Sequence, residues 1–278
     1  MAVGDANRIG TNIGALNGLN SLQNINKKLA LSQLRLATGK RINEAADDPS
    51  GYSIANSFDK RARGLSVALD SVGTASNALS IAEGGLNGIN QILMDMKDLV
   101  VQGASDTLGT TERTAINSQL TALRAEITRI AGQTTFNGTK MLDGSFTNRR
   151  FQTGDTEADF ISFSISASFD STALLLSGVS VTDSAAACNS MASVDTAISA
   201  VAGAVQSIGS VVQRMRLVEN NLNVAIVNTT SAKSRILDAD VAKEQVNSTR
   251  LQILRQLATA QLAQANTAPQ SVLSLFQG

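Results

Sequence analysis

Asp47 and Asp48 stand side by side in "AADDPSG", residues 45–51. Adjacent carboxylates are raw material for a metal site or for an acid/base pair. A cation would need further oxygen ligands, and an acid/base pair would need surroundings that drive the two pKa values apart. No further ligands follow at a recognisable spacing, so no metal or catalytic residue is assigned. A structural role fits better: Asp48 can cap a helix whose first residue is Pro49, a favoured pairing at helix starts. The chain has no histidine, which removes the commonest general base and the commonest metal ligand together. Its one cysteine, Cys188 in "DSAAACNSMAS", has no internal disulfide partner and no histidine to activate it. A structural or neutral role is expected for it, with an intermolecular disulfide open if the protein is extracellular. The charged patch "DKRARG" (59–64) reads as a solvated or inter-subunit face rather than a nucleic-acid site. Neither enzymatic activity nor a cofactor is expected.

The elements that hold these residues come from the apolar pattern. Of 278 residues, 43% are hydrophobic but only 3% aromatic. Bulk is supplied by Ala, Leu, Val and Ile, as in thin helical bundles. Basic and acidic residues number 23 each, for a net charge of zero. That balance argues against binding to nucleic acid or to an anionic membrane, and it permits close packing of identical copies. "MAVGDANRIGTNIGALNGLN" lacks the charged start, apolar block and cleavage site of a signal peptide. No stretch is expected to approach the roughly 20 apolar residues of a membrane span. These signals alone read as cytosolic.

Steps of three and four from Leu65 give Ala68, Val72, Ala75, Leu79, Ala82, Leu86, Ile89, Leu93, Met96 and Val100, all apolar. Five heptads predict a coiled-coil seam, with Gly84 and Gly85 weakening the helix by roughly 1 kcal/mol each. A second ladder runs Val194, Ile198, Val201, Val205, Ile208, Val212, Met215, Glu219, Leu222, Ile226, and a shorter one Ile116, Leu120, Leu123, Ile127, Ile130. Thr110 or Thr111 is expected to cap the short helix, with Glu112 in its first turn. Between the ladders, Asn137-Gly138 and Asp143-Gly144 signal turns. "FISFSISAS" alternates Ile161, Phe163 and Ile165 against Ser162, Ser164 and Ser166, as a strand does.

The two ends differ from this middle. Ile9, Ile13 and Leu16 form one apolar cluster, while Leu22, Ile25, Leu29 and Leu36 form another facing the opposite side of a helix. At the other end, Leu251, Leu254, Ala258, Leu262 and Ala265 recur at helical spacing, and no charge follows Arg255. Both ends need partners, each other first and then other copies. Until such partners bind, they are expected to be largely disordered. The fold class predicted is mainly α: an elongated coiled-coil helical bundle with a small β-hairpin region. The expected division is an N-terminal arm (1–42), a rod (43–231) and a C-terminal arm (232–278). The rod holds helices near 50–103, 111–131 and 190–230, with the hairpin and variable region near 136–189.

"LATGKRINEAADDPSGYSIANSF" (36–58) resembles the N-terminal signature of bacterial flagellins. "GQTTFNGTKMLDG" (132–144) is similar to their segment after the second helix. "SRILDADVAKEQVNSTRLQILRQLATAQLAQANTAPQSVLSLF" (234–276) is similar to their C-terminus. The resemblance covers roughly 1–150 and 190–278, and a hook–filament junction protein, which shares the terminal helices, is the alternative. It implies a structural subunit that self-assembles into the flagellar filament. The polymerising residues would be those of the two arms (Ile9, Ile13, Leu16, Leu22, Ile25 and Leu29 with the C-terminal stripe). The coiled-coil core would be Leu65, Val72, Leu79, Leu86, Leu93 and Val100 against Val194, Val201, Ile208, Met215 and Leu222. The implied partners are other copies of the chain, the flagellar cap and hook-junction proteins, and an export chaperone on the C-terminal arm, with no nucleic acid and no membrane. The resemblance revises the localisation to an extracellular filament reached by type III export. Some flagellins carry a zinc protease in the middle region, but its His-Glu-x-x-His helix has no counterpart in a chain without histidine. Flagellins of enteric type present a stretch of the form Gln-Arg-Val-Arg-Glu-Leu to the Toll-like receptor that detects them. The matching stretch is "MDMKDL", Met94–Leu99, where Leu99 matches but Asp95 stands in place of an arginine. Weak or absent activation is expected.

Overall fold

The structure is a computed structural model; it describes residues 11–276, with side chains to residue 267. Its elements are α1 (Ile13–Thr38), α2 (Pro49–Gly103), α3 (Thr110–Gln133), β1 (Thr135–Phe136), β2 (Thr139–Lys140), β3 (Phe146–Gln152), β4 (Phe160–Ile165), a 3-10 turn (Leu176–Gly178), α4 (Ser184–Leu237) and α5 (Val241–Phe276). The chain divides into two compact units, Met1–Lys60 with Thr229–Gly278, and Arg61–Asn228. Helices α2 and α4 each contribute residues to both.

The central unit is built on the heptad ladders. Every position of the α2 ladder, from Leu65 to Val100, is at most 4% exposed. On α4, Val194, Val201, Ile208, Met215 and Leu222 are buried, while Glu219 stays exposed. Ile116, Leu120 and Ile127 of α3 join the same apolar cluster. Lys97 of α2 pairs with Asp195 of α4 at 2.6 Å on the surface beside it. The small ladder residues Ala68, Ala75 and Ala82 allow close helix approach. Gly85 has a specific reason: a Cβ there would lie 2.6 Å from Thr134 Oγ1 and 2.9 Å from Leu142 Cδ1. The connection leaving α3 therefore crosses α2 at a residue that cannot carry a side chain. Gly84, beside it, faces open space.

Three helix ends differ from expectation. Gly109, not Thr110 or Thr111, is the N-cap of α3, with no side-chain cap. Buried Arg113 ties this corner instead, donating to the carbonyls of Gly103 (2.5 Å) and Ser105 (2.8 Å) as α2 ends. A guanidinium on terminal carbonyls satisfies acceptors the helix leaves open. Helix α4 begins earlier than the 190–230 predicted, because Asp183 accepts from the N–H of Ala186 (2.7 Å) and sets the start at Ser184, and it runs on to Leu237. By length and composition α4 also contains a window apolar enough to cross a bilayer, against the expectation that no stretch comes near one. Its apolar residues recur at heptad spacing, with Val194, Val201, Ile208, Val212, Met215 and Leu222 buried and Ile198, Val205 and Ile226 half-buried against the same cluster.

The hairpins follow their turns. β1 and β2 pair antiparallel around Asn137-Gly138, whose φ values of 48° and 76° match the turn that an Asn-Gly pair favours. β4 pairs antiparallel with β3, with a bulge between Phe146 and Arg149. Ile161 and Ile165 are buried while Ser162 and Ser164 face out. β3 carried no clear alternation of its own; only its pairing to β4 makes it a strand.

Candidate assembly faces

The unit formed by both ends of the chain is a pair of antiparallel helices, α1 and α5, above a knot of loops. Asn12 starts α1 by accepting from the N–H of Ala15 (2.9 Å), and its amide donates across to the carbonyl of Ala265 (2.7 Å). Further along, Leu262 of α5 lies over Gly18, and buried Ser32 donates to the carbonyl of Glu244 (3.3 Å). These contacts fix one register along the pair.

The loops below are stitched by main-chain bonds. The N–H of Arg41 donates to the carbonyl of Leu237 (2.6 Å), and that of Ala239 to Gly39 (2.9 Å). The carboxylate pair Asp47-Asp48 is divided between two structural tasks. Asp47 accepts from the N–H of Asn43 (3.0 Å) and of Glu44 (3.3 Å). The Asn43 bond first, then that of Glu44 and the positive charge of Arg35, hold this carboxyl below the usual carboxylate range. Asp48 caps α2, accepting from the N–H of Gly51 at 2.9 Å. Asp59 forms an ion pair with Lys233, joining α2 to α4. Among the described residues no group of His, Cys, Asp and Glu side chains is arranged to hold a metal ion.

The arm residues singled out from sequence divide by face. Leu29 is buried between the helices, and Ile13, Leu22, Ile25, Leu251, Ala258, Leu262 and Ala265 are half-buried. Leu16 and Leu254 face outward, 56% and 36% exposed. Ile9 lies outside the described residues. A second stripe was missed. Val246, Ile253 and Leu257 of α5 are 68%, 53% and 60% exposed, and Leu19 and Leu34 of α1 are also exposed. Its signal was present as the spacing 246, 250, 253, 257, interrupted by Arg250. A shallow hollow of about 420 Å³ lies along Val246, Ile253 and Leu254. In the receptor-like stretch of α2, Asp95 is exposed and accepts weakly from Gln91 (3.4 Å), while Leu99 packs against the core.

Two family models match the chain, the bacterial flagellin N-terminal helical region over residues 9–147 and the bacterial flagellin C-terminal helical region over 191–276. This chain belongs to the bacterial flagellin family. A flagellin of Bacillus subtilis is 33% identical over 305 residues, covering 97% of this chain and all of that one. A flagellin of Halalkalibacterium halodurans is 33% identical over 245 residues, covering 87% of this chain and 90% of its relative. A provisionally assigned flagellar hook-associated protein of Vibrio parahaemolyticus shares the fold at a TM-score of 0.60. That likeness covers 69% of this flagellin and 100% of the other chain with 14% identity, which makes it one of fold alone. This flagellin is a structural subunit of the flagellar filament, and nothing in these likenesses favours the junction-protein alternative.

Proposed function

We propose that this flagellin polymerises through the outer faces of α1 and α5, and that each copy covers stripes its neighbours leave bare. One observation carries the reading. Along α1 only Leu29 and Ser32 are buried, while Leu16, Leu19 and Leu34 face outward. A helix apolar on two sides is satisfied only by two neighbours, and α5 is just one. The role is mechanical, with no catalytic step and no cofactor. The coiled-coil seams stiffen each copy. The chain acts outside the cell, delivered through the flagellar export channel. An export chaperone covering the α5 stripe beforehand would prevent premature assembly, and cap and hook-junction proteins would meet the two ends of the polymer.

Ile253→Asp tests the reading in a seeded polymerisation assay of purified chain. Ile253 is half exposed in the single chain, so the change costs the monomer little, roughly 0.5 kcal/mol or less. In the polymer it buries an unpaired carboxylate, at a cost of several kcal/mol. The expected result is an unaltered monomer melting transition with no filaments. Filament growth at the wild-type rate would remove this face from the interface. Failure of the wild-type chain to elongate seeds by itself would instead point to a junction protein.

A further inference from the structure

A glycine that follows an asparagine leaves its main-chain nitrogen open to the asparagine side chain, because no Cβ stands in the way. The chain holds three such pairs, Asn17-Gly18, Asn87-Gly88 and Asn137-Gly138. The first two lie inside α1 and α2, where helical bonding ties each glycine N–H to the carbonyl four residues back. The third is the exposed turn between β1 and β2. Among the described residues the N–H of Gly138 donates to no main-chain carbonyl, and the Asn137 side chain has no hydrogen-bond partner. Each strand of this hairpin is two residues long, so the turn opens at low cost. Asn137 also lines a hollow of about 560 Å³ with Arg149 and Arg150 of β3 and Asp70 of α2. Two guanidiniums against one carboxylate favour negative charge that develops there. The chain's Asp-Gly pair is held differently. The carboxylate of Asp143 accepts from the hydroxyl (2.6 Å) and the N–H (3.0 Å) of Ser145, which keep it below the usual carboxylate range. An ionised, bonded carboxylate is a poor electrophile.

We propose that Asn137 is a site of self-modification, where this flagellin converts its own turn to aspartate and isoaspartate without an enzyme. When the turn opens, the nitrogen of Gly138 gives up its proton to water and attacks Cγ of Asn137. A bond forms between them, the Cγ–Nδ2 bond breaks, and the side-chain nitrogen leaves as ammonia. The product is a cyclic imide. Water then opens the ring at either carbonyl. Attack at Cγ leaves aspartate in the original main chain. Attack at the main-chain carbonyl leaves isoaspartate, whose chain runs through Cβ and Cγ. Both products carry a new carboxylate in the hollow of Arg149 and Arg150. Isoaspartate also lengthens the main chain by one methylene, which a two-residue turn has no room for. The pairing of Phe136 with Thr139 is therefore lost. The hairpin base remains, because the N–H of Met141 donates to the carbonyl of Thr134 (3.0 Å). The change stays at the tip and leaves the crossing over Gly85 in place.

The test ages the full-length monomer in warm, mildly alkaline buffer and maps its tryptic peptides by mass spectrometry against an unaged sample. Isoaspartate is counted by methylation with protein isoaspartyl methyltransferase. The peptide ending at Lys140 should gain the mass of amide-to-acid exchange and accept methyl groups. Its conversion should outrun that at Asn17 and Asn87 by about tenfold or more, since helix interiors open far less often than a short hairpin. Asn137→Gln, whose longer side chain closes a ring poorly, should stay unmodified with the other two sites unchanged. Asn137→Asp should keep the amide of Thr139 protected, while the aged isoaspartate form should lose that protection. Conversion at Asn87 or Asn17 as fast as at Asn137 would overturn the proposal. So would an intact Asn137 under conditions that fully convert the free peptide of residues 130–140, because the folded turn would then be protective.

Discussion

Asp48 and Gly51 show how much one turn of chain can depend on single atoms. The cap bond from Asp48 leaves no room above it: a Cβ at Gly51 would sit 2.4 Å from Asp48 Oδ2 and 2.8 Å from Ile42 Cδ1. Gly51→Ala is expected to destabilise by about 1–3 kcal/mol through this overpacking, and Asp48→Ala by about 1 kcal/mol through loss of the cap, both read as a lower melting temperature. Asp47 gives the loop a pH dependence. Its folded pKa is depressed, so its contribution is fully present above the unfolded value near 4 and fades as pH falls through the lower folded value. Protection of the Asn43 and Glu44 amides, relative to their intrinsic exchange rates, should therefore fall as pH drops below the unfolded value near 4, and Asp47→Asn should flatten that change. The sequence showed the cap of α2 because capping is local. It could not show which partner Asp47 serves, since both carboxylates look alike until the loop closes. At the stretch that resembles the receptor-recognised one, Asp95 presents an exposed carboxylate where an arginine is expected. Reporter cells at nanomolar flagellin should respond weakly or not at all, because a charge reversed at a binding hot spot costs several kcal/mol.

Helix α2 was legible over most of its length, because its heptads and its Pro49 start are written in neighbouring residues. The fully buried Leu86 belongs to that seam, and Leu86→Ala should cost about 2–5 kcal/mol in chemical denaturation. Strand β3 was not legible. "FTNRRFQ" holds two adjacent arginines and a bulge, and its strand character comes from β4 across the ladder. The guanidinium of Arg150 lies over the Phe160 ring at 3.7 Å, a cross-strand contact invisible to any local period. The outer stripe of α5 escaped for a different reason. Arg250 breaks up its apolar content, while Leu251, Ala258, Leu262 and Ala265 on the side toward α1 read cleanly. Sequence periodicity finds faces that pack within the chain more readily than faces the chain leaves exposed.

On the scale of the whole chain, burial is unevenly shared. The central unit, residues 61–228, holds the continuous apolar cluster. The paired ends bury little and leave wide apolar stripes uncovered, which is the pattern of segments that open at low cost. Limited proteolysis of the monomer should remove both arms and leave a helical fragment close to residues 61–228 that no longer polymerises. The most direct measurement of the central claim is a cryo-EM map of the filament at side-chain resolution. Val246, Ile253 and Leu257 of α5, and Leu16 and Leu19 of α1, should be buried against neighbouring copies. A map in which those five side chains face solvent in the assembled filament would contradict the account.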